Sequence, residues 1–252
     1  MTKKQPYGTV LIKAEQILSY ISSDNGANRL SDISKATKLT SSTASKILNT
    51  LSLIGYVQKD PVTQEFKLGP SLIKYANAAL KQLDIKQIAQ PYLEELQRKT
   101  SETVHLGILD QSKIVYVMKL ESDNPVSLSS KIGRSIPLYC TAMGKAVLAE
   151  KTDEEIADYL DENPLIPKTE HTITDKETLL KEIQKVREQG FAYDDSEHEL
   201  DVFCIGVSIP INEQNYSAIS VSLPKYRLTN DLKQVIIDGL IECKANIMAD
   251  LN

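Results

Sequence analysis

The chain has 252 residues, 41% of them hydrophobic and 25% charged, an ordinary globular composition that excludes a fibre, a disordered tail and a disulfide-stapled mini-protein. Its three cysteines, Cys140, Cys204 and Cys243, stand far apart with no C-x-x-C pair, which argues against a disulfide framework or a zinc finger and suits a reducing cytoplasm. The net charge of −5 is unevenly spread, with +5 on residues 1–75 and −10 on the remainder, so a small basic module suited to an anionic partner is expected ahead of a larger acidic one.

Apolar residues at Val10, Leu11, Ala14, Ile17, Leu18 and Ile21 recur at helical spacing and predict a helix over 9–22. A short helix over 31–37 follows, with Ser31 as its cap. A third opens at Thr40 or Ser41, carries Ala44, Ile47, Leu48, Leu51 and Ile54 on one stripe, and ends at Gly55. Two β-prone runs, 56–59 and 65–68, flank the turn-forming DPVTQ. Three helices and a hairpin, in that order, predict a winged helix-turn-helix over 1–69.

Residues 70–83 read as a linker helix whose stripe of Leu72, Ile73, Ala76, Ala79, Leu80 and Leu83 packs either on a second subunit or on its own domain. From 84 to 252 the pattern alternates. A helix over 84–100 has Pro91 as a kink or fresh start, and strands are expected at 103–109, 114–120 and near 126–129. Helices follow at 141–150, 153–160 and 175–189, then strands at 191–193, 204–211 and 217–223. A last helix should bury Leu232, Val235, Ile236, Gly239, Leu240, Cys243 and Ile247. Hairpins mixed with helices indicate an α+β domain with a mainly antiparallel sheet. No leader and no run of 18 apolar residues is present, so no membrane partner is expected.

With its stripe turned inward, the third helix must present Ser42, Lys46 and Asn49 outward, with Ser45 at the edge, because successive residues are about 100° apart. Such a face is either a solvated surface or a recognition surface, on which Lys meets phosphate or guanine, Asn meets adenine and Ser meets phosphate or a base edge. The helix before it and the hairpin after it favour recognition. Lys59 and Lys67 on the hairpin would each neutralise a phosphate, or else guard a strand edge.

The run LSDISKATKLTSSTASKILNTLSLIGYVQKDPVTQEFKLG resembles the winged-helix module of IclR-type transcriptional regulators, and the likeness continues through ETVHLGILDQSKIVYVMKLES, KIGRSIPLYCTAMGKAVLA, GFAYDDSEHELDVFCIGVSIPI and AISVSLP. It departs from the family at Lys38, where a turn glycine is common, at Thr40, near which a proline is common, and at Lys46, commonly Arg. The resemblance implies a regulator that is not an enzyme and needs no cofactor, with Ser41, Ser42, Thr43, Ser45, Lys46, Asn49, Lys59 and Lys67 on double-stranded DNA. Pseudo-palindromic operators and a homodimer or dimer of dimers are further implied.

For residues 84–252 the resemblance implies a GAF- or profilin-like effector domain, with a pocket drawing on Leu128, Ala142, Met143, Asp194, Val202, Cys204, Ser220 and Ser222. The chemistry of these residues agrees. Ala142 and Met143 lie in the first turn of a helix, whose unpaired amides favour a carboxylate. Ser220 and Ser222 share a strand face, and Asp194 would accept from a hydroxyl. A small organic acid is therefore expected: a 2-oxo, hydroxy or keto sugar acid.

Catalytic readings are weaker. Gly144-Lys145 lacks the earlier glycine and the following Ser/Thr of a phosphate loop, Tyr139 and Ala146 standing there instead. Asp194, His198 and Cys204 could form a hydrolytic triad or hold a divalent metal, making a small-molecule hydrolase or metal-dependent enzyme the alternative.

Overall fold

The computed structural model describes residues 7–23, 27–81, 84–124, 128–212 and 215–251, at 80 and 81 the backbone alone. The chain forms two compact units, Met1–Gln82 and Leu83–Asn252.

In the first unit, α1 (Thr9–Ser22), α2 (Leu30–Thr37) and α3 (Ser41–Leu53) enclose one core with a hairpin of β1 (Val57–Lys59) and β2 (Phe66–Leu68). Ile17, Ile33, Leu48 and Val57 meet there, fully buried. The hairpin puts Val57 and Phe66 on this core and turns through Asp60, whose Oδ1 accepts from the Val62 and Thr63 amides. Gly55 and Gly69 close its base, since a Cβ on Gly69 would stand 2.1 Å from the Gly55 carbonyl oxygen.

Three expectations need correction here, the first being Ile54, which stands just past the end of α3 and is 49% exposed instead of on the inward stripe. Ser31 does not cap α2, which begins one residue earlier; Asp32 Oδ2 instead accepts the Arg29 amide at 3.1 Å, the position three residues into the helix being the one that reaches back. Val10 and Leu11 are exposed, because the core closes over only the second half of α1. The turn before α3 does place Lys38 in the left-handed region, at φ 55°, where glycine is at ease. Helix α4 (Ser71–Lys81) leaves Ile73, Ala76 and Ala79 exposed and sets Tyr75 edge-on to Tyr56 at 5.7 Å. Leu83 and the Leu80 side chain lie outside the described residues.

The second unit is built on a six-stranded antiparallel sheet, ordered β5-β4-β3-β8-β7-β6. Its strands are β3 (Thr103–Asp110), β4 (Lys113–Leu120), β5 (Ser135–Pro137), β6 (Ala192–Asp195), β7 (Val202–Pro210) and β8 (Tyr216–Pro224). Helices α5 (Asp84–Thr100) and α9 (Asn230–Leu251) pack on the sheet and on each other. Helix α6 (Ala142–Ala149), backed by α8 (Lys176–Gln189), covers the face that carries Ala218, and α7 (Asp153–Glu162) joins the same apolar cluster. Gly206 on β7 makes this possible, since a Cβ there would meet the Ala142 carbonyl carbon and the Met143 nitrogen at 2.9 Å.

Helix α5 runs unbroken through Pro91, which removes one amide from the helical ladder without ending it. The strand expected near 126–129 is not found at Leu128 and Ser129, and 126 and 127 lie outside the described residues. The third strand is instead β5, because Gly133, at φ +85°, turns the chain back so that Tyr116 donates to the Arg134 carbonyl at 3.1 Å. On α9, Val235 is exposed and Ile237 buried. The two flank Ile236 about 100° to either side, so periodicity alone did not distinguish them.

Candidate functional site

Two surfaces carry the residues singled out in the sequence. On α3, Ser41, Ser42, Lys46 and Asn49 are exposed and Ser45 is half-buried, as the inward stripe requires. Thr43 is half-buried and committed to the helix start, its amide donating to Thr40 Oγ1 at 3.2 Å and its hydroxyl 2.9 Å from the same atom. On the hairpin, Lys59 lies over the Phe66 ring at 5.6 Å, and Lys67 is 4.0 Å from Asp60 Oδ2 with its side chain largely in solvent. The face is polar, cationic and short in side chain, with no acidic residue among Ser41–Leu53.

The second surface is a narrow recess of about 40 Å³ in the sheet unit. Leu128, Ala142, Met143, Asp194, Val202, Cys204, Ser220 and Ser222 all line it. Strand register explains the gathering: Asp194 stands opposite Cys204 and Cys204 opposite Ser222, while in the next row on that face Gly206 stands opposite Ser220 and Ser220 opposite His105. Residues directly opposite one another share a face, so this polar row must project together. Helix α6 begins over it, capped by Thr141, whose Oγ1 accepts the Gly144 amide at 3.2 Å and so leaves the amides of Ala142 and Met143 in the unpaired first turn.

His105, Tyr116, Ser130, Ile136, Thr141 and Glu199 complete the lining together with His198, and of these the sequence pointed only to His198, as a triad or metal candidate. The register of β3, β4 and β5 and the return of the chain at Gly133 bring His105, Tyr116, Ser130 and Ile136 there, while Thr141 caps α6 and His198 and Glu199 stand on the turn between β6 and β7. His105 is buried and bridges the wall, its Nε2 2.7 Å from Ser130 Oγ and its Nδ1 3.5 Å from Ser222 Oγ. Burial, helped by the nearby Lys119 charge, pushes its pKa down to about 3. Burial likewise lowers His198 to about 4, with Arg134 adding to the effect.

Asp194 is only 4% exposed. Its Oδ1 accepts the Glu197 amide at 2.8 Å and the His198 amide at 3.3 Å. Burial, then the Glu197 charge, raise its pKa to about 7 against the pull of those two amides. Beneath it Lys145, fully buried, donates to Glu197 Oε1. Gly144-Lys145 thus serves α6 packing and an internal ion pair.

The triad is not assembled. The Asp194 Oδ1 is taken by backbone amides, and the His198 ring faces Cys140, its Nδ1 3.9 Å from that sulfur. Burial pushes the Cys204 thiol well up, the reverse of what a nucleophile needs. Among the described residues no group of three His, Cys, Asp or Glu side chains could hold a metal ion, and no helix is long and apolar enough to cross a membrane.

Comparison with known proteins places both surfaces in context. Residues 10–61 match the IclR helix-turn-helix domain, and residues 77–249 match the bacterial transcriptional regulator IclR C-terminal family. The chain is 34% identical over 211 residues to the HTH-type transcriptional regulator XynR of Escherichia coli, covering 83% of this chain and 84% of that one. It is 32% identical to the HTH-type transcriptional regulator KdgR of the same organism, covering 88% and 85%. Among solved structures, the Thermotoga maritima IclR is 31% identical and superposes with a TM-score of 0.71, covering 97% of this chain and 99% of that one.

Proposed function

Because the chain belongs to the IclR family of bacterial transcriptional regulators, we propose that a small organic acid bound in the recess of the sheet unit controls how its helix-turn-helix reads an operator. The observation that carries this reading is the convergence, on one recess, of the unpaired amides of α6, the carboxyl of Asp194 and the hydroxyls of Ser220 and Ser222. The amides suit a carboxylate, the serine hydroxyls suit an oxo or hydroxyl oxygen beside it, and Asp194 suits a hydroxyl. A 2-oxo, hydroxy or keto sugar acid satisfies all of them.

The outward face of α3 is the operator-reading surface, with Lys46 and Asn49 at its centre and Ser41, Ser42, Ser45, Thr43, Lys59 and Lys67 around them. Two such faces on a homodimer, or four on a dimer of dimers, match a pseudo-palindromic site. The exposed apolar residues Val10 and Leu11 of α1 and Ile73 of α4 are available for that assembly. For control, the acid must bind the operator-competent and operator-incompetent arrangements unequally.

The test is a selection of bound duplexes from random DNA by the full chain, followed by competition with a panel of acids. Recovery of an inverted repeat whose binding shifts with one acid supports the proposal. Recovery of a repeat that no acid affects would move the control elsewhere.

A further inference from the structure

The charges around the recess do not balance an incoming anion. Among its described lining residues the carboxylic acids are Asp194 and Glu199, the bases are the two histidines, and there is no lysine or arginine. His105 and His198 are held neutral by burial. Of the cations nearby, Lys168, whose charge reaches His198 and Cys140, is exposed and is not in the lining, and the others are spent elsewhere. Lys119 donates to the carbonyls of Leu128 and Ser130 and pairs with Glu121, and Arg134 donates to Ser129. Lys145 is consumed by Glu197, and that pair is neutral whichever partner holds the proton.

The groups that reach Asp194 come from every element around it: Lys145 of α6, Tyr116 of β4, Cys204 of β7, Cys140 before α6, and Glu197 and His198 of its own turn. Burial keeps Tyr116, Cys140 and Cys204 uncharged. Asp194 Oδ1 is fixed by two amides, whereas Oδ2 accepts no hydrogen bond from the described residues.

We propose that the recess takes its acid together with a proton, one monocarboxylate and one H⁺ from solvent, and that the proton resides on Asp194 Oδ2. This rests on the acid-binding reading above. The carboxylate occupies the amide wall of α6. The protonated Asp194 becomes a donor to the ligand oxygen beside it, and the net charge of the recess is unchanged by binding. A dicarboxylate would need a second proton and is discriminated against. The burial that raises Asp194 to about 7 makes the proton accessible near neutral pH.

The inference is tested on the full chain by calorimetry with D-gluconate and pyruvate as probes, in Pipes and in Tris, whose ionisation enthalpies differ. Uptake approaching one proton per acid at pH 8, with affinity falling up to about tenfold per unit of rising pH, is the expected result. Asp194→Asn, which carries a permanent donor in that position, should show neither proton uptake nor pH dependence. Binding without proton uptake overturns the inference and leaves acid binding standing. If neither probe binds, acid binding is what fails for these chemistries. The carboxyl ¹³C titration of Asp194 in the free chain then decides the inference, a midpoint near the ordinary value of about 4 overturning it.

Discussion

Asp194 and Ser222 lie in one row across the sheet, Cys204 standing between them and opposite both. That row puts a carboxyl and a hydroxyl on the same wall of the recess, facing the amides of α6. Truncating the carboxyl leaves a ligand oxygen unpaired in a buried setting, so Asp194→Ala should lose roughly 1–3 kcal/mol of effector affinity. Operator binding without effector should persist. Calorimetry with an acid identified by the competition experiment checks it; equal affinities for the two proteins would place the site elsewhere.

The same residue sets a pH dependence of stability. Its folded pKa of about 7 lies above its unfolded value, so the folded state binds the extra proton between the two and loses stability as pH rises through the folded value. Asp194→Asn removes that titration. The variant should therefore be more stable than the parent at pH 8, by a margin that shrinks at about 1.4 kcal/mol per unit at most as pH is lowered. It should vanish near the ordinary aspartate range. Thermal melts of both proteins from pH 5 to 9 give the comparison, and parallel curves would show Asp194 to be ionised without penalty.

Much of this was legible in the sequence because helical stripes and strand alternation are local. Ala44, Ile47, Leu48 and Leu51 fixed which way Lys46 and Asn49 point, and the buried core agrees. The register of the sheet was not legible. His105 gave no signal on a strand of its own, and became part of the recess only because it stands opposite Ser220. Likewise Lys145 read as the end of a failed phosphate loop, and its partner Glu197 lies 52 residues away in sequence. Val10 and Leu11 fit the stripe of α1 by period, yet nothing in the period says how far a neighbouring helix extends.

Lys46 is exposed at the middle of the α3 face, with no ion-pair partner among the described residues. Lys46→Ala should weaken operator binding with the melting temperature of the free protein nearly unchanged, since the side chain supports nothing in the core. A loss of about 1–3 kcal/mol is expected if it reads a base, and a smaller loss with a salt slope shallower by about one if it neutralises a phosphate. A salt titration of binding separates the two outcomes, and identical curves for both proteins would remove Lys46 from the interface.

Helix α4 leaves Ala76 and Ala79 exposed on the side that also carries half-buried Leu72, while Ile73 is 61% exposed. A helix this apolar on its open side gains little in water and gains more when a second copy covers it. In a two-fold contact each substitution appears twice, so Ala76→Glu would bring two carboxylates towards the same axis at the cost of desolvating both. The variant should shift towards monomer in analytical ultracentrifugation and bind the operator more weakly, because one recognition helix must then hold the site without its mate. Its melting temperature at low concentration should stay close to that of the parent, Ala76 being exposed within the chain. A variant that remains dimeric with full operator affinity would place the contact elsewhere, the exposed Val10 and Leu11 of α1 being the next apolar pair to substitute.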